Sequence, residues 1–318
     1  MNELLSKLNE AQRSSVEATD GPVMVIAGAG SGKTRVLTFK VAYLLKQGVD
    51  PFSILALTFT NKAAKEMKDR VENLVGTDAK SVWMGTFHSI FARLLRFDGH
   101  HLGYQDNFTI YDTDDAKGVL KTVISNLELD PKVYVVNQVM SRISAAKSQL
   151  ISADEYAQHP EVIEHDAASG KREIFMIYKA YQETLFRSSA MDFDDIIFNF
   201  HLLITRFPEV LAKYQRRFRY ILIDEFQDTN KAQYSIIKKL SEPENNLCVV
   251  GDDAQSIYAF RGANIENILG FKSDYPNYKL FKLEQNYRST SHIVEASNSV
   301  IKKNRSQIDK NVWTDNGD

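Results

Sequence analysis

Apolar residues recur along the chain in short unbroken runs: "VMVIA" (23–27), "ILALTFT" (54–60), "VWMGT" (82–86), "YILID" (220–224), "LCVVGD" (247–252) and "YKLFKL" (278–283). The runs are β-branched or aromatic and apolar on both faces. They predict parallel strands in a sheet covered on both sides. Helical patterns lie between them; "NKAAKEMKDRVENLV" (61–75) follows the second run at once, with Thr60 or Asn61 as its N-cap. This βαβ rhythm predicts an α/β domain. It breaks after residue 86. From about 90 to 190 the pattern is mostly helical, as in "DTDDAKGVLKTVISNLEL", "VNQVMSRISAAKSQL" and "KREIFMIYKAYQETLF". One βαβ unit needs only about 30 residues, so this stretch reads as a helical insertion into the α/β domain. "EHDAASGKRE" (164–173) is the candidate mobile loop, and "MDFDDII" (191–197) closes the insertion, its acids able to cap a helix. There are no internal repeats and no low-complexity tract, and the stretch after 304 is polar.

Composition changes this picture little. The chain has 318 residues, 43% hydrophobic and 25% charged, which suits a globular protein with more than one domain. A net charge of -2 gives no sign of nucleic acid, but gripping a few phosphates needs only a local patch. The single cysteine, Cys248, cannot form an intrachain disulfide, so a reducing, cytoplasmic setting is expected. No apolar stretch reaches the roughly 18 residues of a membrane span, and "MNELLSKLNEAQ" lacks the apolar core of a secretory signal. The seven histidines show no metal-ligand spacing; His100 and His101, being adjacent, are expected to point apart on a regular element.

The chemistry begins where the first apolar run ends. Ala27, Gly28, Ala29, Gly30, Ser31, Gly32, Lys33 and Thr34 form a phosphate-binding loop, with Ala27 where the strict pattern has glycine. A strand, a glycine-rich turn and a helix starting near Gly32 are the context that this motif requires. Gly28, Gly30 and Gly32 let backbone N–H groups turn toward phosphate oxygens, and the helix N-terminus adds its positive end. Lys33 reaches the outer phosphates of a nucleotide and the Thr34 hydroxyl reaches Mg²⁺. "YILIDEFQD" supplies the expected partner: Asp224 to hold the Mg²⁺ shell and Glu225 as general base on the attacking water.

"AGAGSGKT", "LTFTNKAAKEM", "GTFHS", "DFDD", "LIDEFQDTN", "VVGDDAQSIYAFRGA" and "LEQNYRST" occur in this order. The set resembles the helicase motifs of the UvrD/PcrA/Rep family of superfamily 1 DNA helicases. That family is built from two RecA-like P-loop motor domains, each with an inserted helical domain. The resemblance implies a RecA-like motor domain at about 1–90 and 190–290, a helical insertion at 90–190, and a helix and tail (291–318) leading to a second motor domain. It implies that Gln12 recognises adenine, that Arg35 and Tyr287 sandwich it, that Gln255 senses the γ-phosphate, and that Arg288 neutralises charge there as an in-chain arginine finger.

A translocase holds single strands without reading sequence, and stacking on aromatics does this because every base has a face. "FTN" offers Phe59 and Asn61, "GTFHS" offers Thr86 and His88, and "SIYAFRG" offers Tyr258 and Phe260. The resemblance places Phe59, His88, Tyr258 and Phe260 along the single-strand path, with core packing the competing reading for each aromatic. Family members often carry tryptophan where this chain has Phe260. The implied parent is an ATP-driven 3′-to-5′ helicase acting on single-stranded DNA and duplex junctions in repair or replication restart. None of the second domain's motifs is present, so the chain is expected to bind ATP without unwinding. A short natural subunit or regulator is the alternative. Two other classes share the loop. A nucleotide kinase is disfavoured by Glu225 and "SIYAF"; the other is a nucleotide-gated DNA-binding module without turnover.

Overall fold

The computed structural model describes residues 2–242, 244–258, 262–304 and 307–317. Its strands are β1 (Val23–Ala27), β2 (Ile54–Thr58), β3 (Trp83–Thr86), β4 (Thr109–Ile110), β5 (Ala190–Met191), β6 (Tyr220–Ile223), β7 (Leu247–Gly251) and β8 (Lys279–Leu283). The chain divides into two compact units: residues 1–90, 212–229 and 237–318, and residues 91–211 and 230–236.

The first unit is built on a six-stranded sheet of order β3-β2-β6-β7-β1-β8, parallel throughout. β1, β2 and β7 are buried at every position. Their unbroken Val, Ile, Leu and Ala content follows from cover on both faces. The helix Lys33–Lys46 buries Val36, Leu37, Val41 and Leu44, each worth roughly 1.5–3 kcal/mol of burial. The helix Asn61–Val75 buries only Met67 and Val71, and the Thr60 side chain caps it by accepting the Ala63 N–H. β8 departs from the expectation of strands apolar on both faces. It is an edge strand, paired only with β1, and its Lys279 and Leu280 are exposed. Three of the runs also stop short: β2 ends at Thr58, leaving Phe59 and Thr60 in the turn, β6 ends at Ile223, and β7 ends at Gly251.

In a parallel sheet every strand points the same way, so the turns that leave the strands gather along one edge. The phosphate loop leaves β1 between β7 and β8. Asp224 and Glu225 leave β6, Asp252 to Gln255 leave β7, and Gln285 to Arg288 leave β8. Phe59 and His88 follow β2 and β3, at the other end of that edge.

The second unit is helical. Its core joins Leu120, Ile124, Val139, Ile143, Ile177 and Tyr178 among others. The two-residue strands β4 and β5 pair in parallel, Thr109 with Ala190 and Ile110 with Met191, and bring distant ends of this unit together. Asp192 caps the helix Phe193–Arg206 in a reciprocal box with Asp195. Both carboxylates also hold the fully buried Lys147, whose Nζ is 2.7 Å from Asp192 and 2.8 Å from Asp195. The Tyr181 hydroxyl donates to Asp192 at 2.8 Å. Burial pushes the Lys147 ammonium down, but the two carboxylates outweigh it and hold its pKa well above the ordinary lysine value.

Two expectations for this unit are corrected. The segment 164–173 was expected to be a mobile loop, yet residues up to Ala168 belong to the helix Pro160–Ala168. Asp166 is buried there, accepting from the Tyr156 hydroxyl at 2.7 Å and pairing with Arg142 at 3.4 Å. His100 and His101 sit on a 3-10 turn rather than a regular helix or strand, which brings their ring centroids to 4.3 Å instead of pointing them apart. Among the described residues no helix is long and apolar enough to cross a membrane.

Candidate active site

The loop between β1 and the helix Lys33–Lys46 shows why Ala27 suffices. Ala27 is the last, fully buried residue of β1 and pairs with Leu283 of β8. The tight places come after it. A Cβ on Gly28 would lie 2.6 Å from Val312 Cγ2, one on Gly30 2.9 Å from Asn286 Nδ2 and Arg288 Cβ, and one on Gly32 2.9 Å from Gln12 Nε2. Gly30 and Gly32 also have φ of 71° and 91°, which glycine adopts without strain. The Ser31 hydroxyl donates to the Gly28 carbonyl at 2.6 Å, closing the loop on itself.

Side chains from three other strand ends meet this loop. Lys33 Nζ lies 2.9 Å from Glu225 Oε2 and 3.4 Å from Gln255 Oε1. Thr34 Oγ1 donates to Asp224 Oδ2 at 3.3 Å. Glu225 has φ 49° and ψ 46°, a left-handed conformation that is uncommon for a non-glycine residue. Such strain persists only where the surroundings enforce it, and it clusters at functional sites. Here Lys33 and Gln227 Nε2, both 2.9 Å from the carboxylate, hold the residue.

Asp224 is 2% exposed. Burial first, then the neighbouring Glu225 charge, push its carboxyl up to about 6 against the pull of Lys33. Asp228 is pushed to about 6 by burial and the same Glu225 charge. Three carboxylates thus crowd one ammonium. Among the described residues no group of three or more His, Cys, Asp and Glu could hold a metal by itself. Mg²⁺, however, takes one or two protein oxygens and completes its shell with phosphate oxygens and water. Thr34 Oγ1 and Asp224 Oδ2 are a hard-oxygen pair of that kind beside the phosphate loop, so the residues fit Mg²⁺ with a nucleotide.

A cavity of about 710 Å³ opens beside the loop, lined by Asn9, Gln12, Arg35, Phe39, Arg70 and Tyr287 among others. Gln12 is 2% exposed. Its Nε2 donates to the Ser31 carbonyl at 3.0 Å and its Oε1 accepts the Asn9 N–H at 3.3 Å, so the amide is fixed against the loop. Arg35 lies over the Phe39 ring at 5.1 Å and donates to the Lys7 carbonyl at 2.7 Å. Tyr287 is 50% exposed; its hydroxyl accepts from Asn9 Nδ2 and donates to Gln285 Oε1, each at 2.7 Å. An exposed phenol ring and a guanidinium on the wall of one cavity suit a flat heterocycle. Arg288 is exposed, with its Cβ facing Gly30 across the loop.

The residues expected along a DNA path fare differently. Phe59 is half-buried, its ring 5.3 Å from that of the fully buried Phe87. Asn61 is exposed at the first turn of its helix. Tyr258 is 39% exposed. Burial holds the half-buried His88 imidazole down at about 4, so it is neutral at neutral pH. Thr86 ends β3. It is buried, and its hydroxyl caps the following helix by accepting the Ser89 N–H at 3.1 Å, while Ser89 Oγ accepts the Thr86 N–H at 3.0 Å. Its side chain belongs to the cap. Phe260 lies outside the described residues.

Some residues of this site carried no chemical signal in the sequence. Asn286 is buried. Its Nδ2 donates to the Ala29 carbonyl at 2.6 Å and its Oδ1 accepts the N–H groups of Arg288 and Ser289 at 2.7 Å, tying the β8 exit to the phosphate loop. Gln227 bridges Glu225 to the Asp252 N–H, which its Oε1 accepts at 3.0 Å. Both lay inside quoted motifs, but nothing about a lone amide there marks it as a strut.

Comparison with known proteins fits this geometry. The family model described as UvrD/REP helicase N-terminal domain matches residues 8–276. The chain is 48% identical over 318 residues to the ATP-dependent DNA helicase PcrA of Bacillus subtilis (strain 168), covering 99% of this chain and 42% of that protein. It is 48% identical over 317 residues to the protein of the same name from Staphylococcus aureus (strain Mu50 / ATCC 700699), covering 99% of this chain and 43% of that one. The chain therefore spans less than half the length of these relatives. On the match of the family model across most of its length, the chain belongs to the UvrD/REP helicase N-terminal domain family.

Proposed function

We propose that this chain is the ATP-binding part of an ATP-dependent DNA helicase that moves 3′ to 5′ along single-stranded DNA and opens duplex junctions in repair or replication. The observation that carries the reading is the meeting of Lys33, Thr34, Asp224, Glu225 and Gln255 at one sheet edge, with Glu225 held in a strained conformation. ATP lies with its adenine between Arg35 and Tyr287 and against Gln12, and its phosphates in the loop from Ala27 to Thr34. Lys33 leaves Glu225 for the outer phosphates, which frees the carboxylate to accept a proton from the attacking water. Thr34 and Asp224 hold Mg²⁺, which when bound draws charge from the phosphate oxygens. Arg288, across the loop from Gly30, neutralises charge on the γ-phosphate. Gln255 reports that phosphate to Tyr258, three residues on.

Phe59, Asn61, His88, Tyr258 and Phe260 contribute the DNA side, with neutral His88 suited to stacking or hydrogen bonding rather than to pairing with phosphate. The motor domain comprises about 1–90 and 190–290, the helical domain 90–190, and a second motor domain completes the site. The chain alone binds ATP but does not unwind. The experiment is the ATPase rate of the full-length protein with and without single-stranded DNA. Stimulation supports a helicase. DNA-indifferent turnover points to a kinase-like enzyme, and no turnover to a binding module.

A further inference from the structure

The segment 307–317 lies against the strand ends of the first unit. Trp313 forms a parallel bridge with Gln285, its N–H donating to the Glu284 carbonyl at 2.9 Å and its carbonyl accepting the Asn286 N–H at 2.7 Å. Val312 packs on Gly28, and its carbonyl accepts from Asn298 at 2.6 Å. This seats Lys310 beside the β7 exit. Its side chain is 6% exposed, with Nζ 3.0 Å from Asp252 Oδ1 and 2.5 Å from Asp253 Oδ1. Asp253 Oδ2 accepts the Ile308 N–H at 2.6 Å. Both aspartates are buried. Burial pushes the Lys310 pKa down, but the bonds and charges of Asp253 and Asp252 outweigh it and hold it above the ordinary lysine value.

Asp252 is the hinge of the arrangement. Its Oδ1 takes Lys310 and the Ala254 N–H at 3.1 Å, and its Oδ2 takes Gln255 Nε2 at 2.6 Å. The other end of the same amide, Gln255 Oε1, faces Lys33 at 3.4 Å. A chain of polar contacts therefore runs from Lys310 through Asp252 and Gln255 to the lysine of the phosphate loop. A glutamine amide can rotate or flip. Here Asp252 takes its N–H donors and so turns its oxygen toward Lys33. Asp252 can do so only while its other oxygen and its charge are held. Asp253 adds a second negative charge at the same spot, so without Lys310 the two carboxylates would repel each other in a buried site.

We infer that Lys310 is a positioning residue for nucleotide triphosphate recognition: it fixes Asp252, and through it sets the side chain of Gln255 toward the γ-phosphate. The inference rests on the nucleotide-site reading above. It does not need DNA-driven turnover.

The test uses the full-length protein with Mg²⁺ and measures ATPγS and ADP affinities by displacement of a fluorescent nucleotide. Lys310→Met is expected to lower ATPγS affinity about tenfold while ADP affinity changes less than about twofold. Lys310→Arg, which keeps the charge, is expected to retain most of the wild-type preference. In a Gln255→Ala background, Lys310→Met should add less than about twofold, because both changes break the same path. Equal weakening of both nucleotides, or independent losses in the double variant, would overturn the assignment. Where Lys310→Met fails to fold, Lys310→Met with Asp253→Asn removes the excess charge and carries the same comparison. Full recovery of the ATPγS preference in that pair would mean that Lys310 only neutralises charge, and would also overturn it. A wild type without DNA-stimulated ATPase, whose ATPγS preference Lys310→Met still abolishes, would sink the helicase reading and uphold Lys310.

Discussion

Glu225 combines a left-handed backbone with a carboxylate 2.9 Å from Lys33, and each fact constrains the other. Any residue at this position carries a conformational cost of order 1–3 kcal/mol unless it is glycine. Chemistry, rather than fold, keeps a glutamate there on the proposed reading. On the proposed reading Glu225→Gln should bind ATP with near-normal affinity and lose about 10²–10⁴-fold in turnover. Single-turnover hydrolysis beside nucleotide binding measures both; undiminished hydrolysis would remove Glu225 as the base. Lys33→Ala should abolish ATPase while single-strand affinity stays within a few-fold, because Lys33 contacts the loop's partners and not the exposed aromatics. Tyr258→Ala should weaken single-strand binding by about 1–3 kcal/mol without base preference. Equal binding of poly-dT and mixed strands by wild type and variant would return Tyr258 to the surface or core. His88 gives a sign for pH. Its folded pKa, about 4, lies below the unfolded value of 6.5. The stability that it contributes is therefore complete above 6.5 and is lost as pH falls from there toward 4, at up to about 1.4 kcal/mol per pH unit. Denaturant unfolding of wild type and His88→Gln across this window should diverge as pH drops; parallel curves would mean that the imidazole is not shielded.

At the level of elements, the strands were legible because burial on both faces leaves unbroken apolar runs such as "VMVIA" and "LCVVG". Their order in the sheet was not, since pairing β1 between β7 and β8 depends on contacts more than 200 residues apart in sequence. That order makes the site. The struts Gln227, Asn286 and Lys310 were illegible for the same reason: each is an ordinary polar residue until a distant segment gives it a partner, Asp252 in the case of Gln227. "EHDAASGKRE" was misread because its polar pattern hides Asp166, whose burial depends on Tyr156 and Arg142. Lys147 is a fourth case. It sits in a plain helical pattern, yet holds Asp192 and Asp195 in the helical unit's interior. Lys147→Met would leave two buried carboxylates facing each other, a loss of about 3–5 kcal/mol. Hydrogen exchange should show the helical unit opening more readily while nucleotide binding persists. Unchanged protection would show that the cluster relaxes or takes up a proton at little cost.

Across the whole molecule, one sheet edge carries the phosphate loop, the acidic pair, the glutamine after β7 and the arginine after β8, while the turn after β2 carries Phe59 and the first turn of the helix after β3 carries His88 farther along it. A nucleotide at one end and a strand of DNA at the other would share the turn after β7, where Gln255 and Tyr258 are three residues apart. On the proposed reading that turn couples hydrolysis to DNA. The family was legible in the ordered motifs, because phosphate chemistry demands glycine, lysine and carboxylate at set places. The resemblance also implied a coupling through Gln255, three residues before Tyr258; the strand order that sets this turn beside the phosphate loop was not legible. The most direct test is the steady-state ATPase rate of the full-length protein with and without a poly-dT strand, for wild type and for Tyr258→Ala. The wild-type rate should rise by an order of magnitude or more on adding DNA, by analogy with the large rate effects of completing a phosphoryl-transfer site, and the variant's stimulation should fall well below this. A rate that ignores DNA in the wild type would contradict a motor driven from this edge.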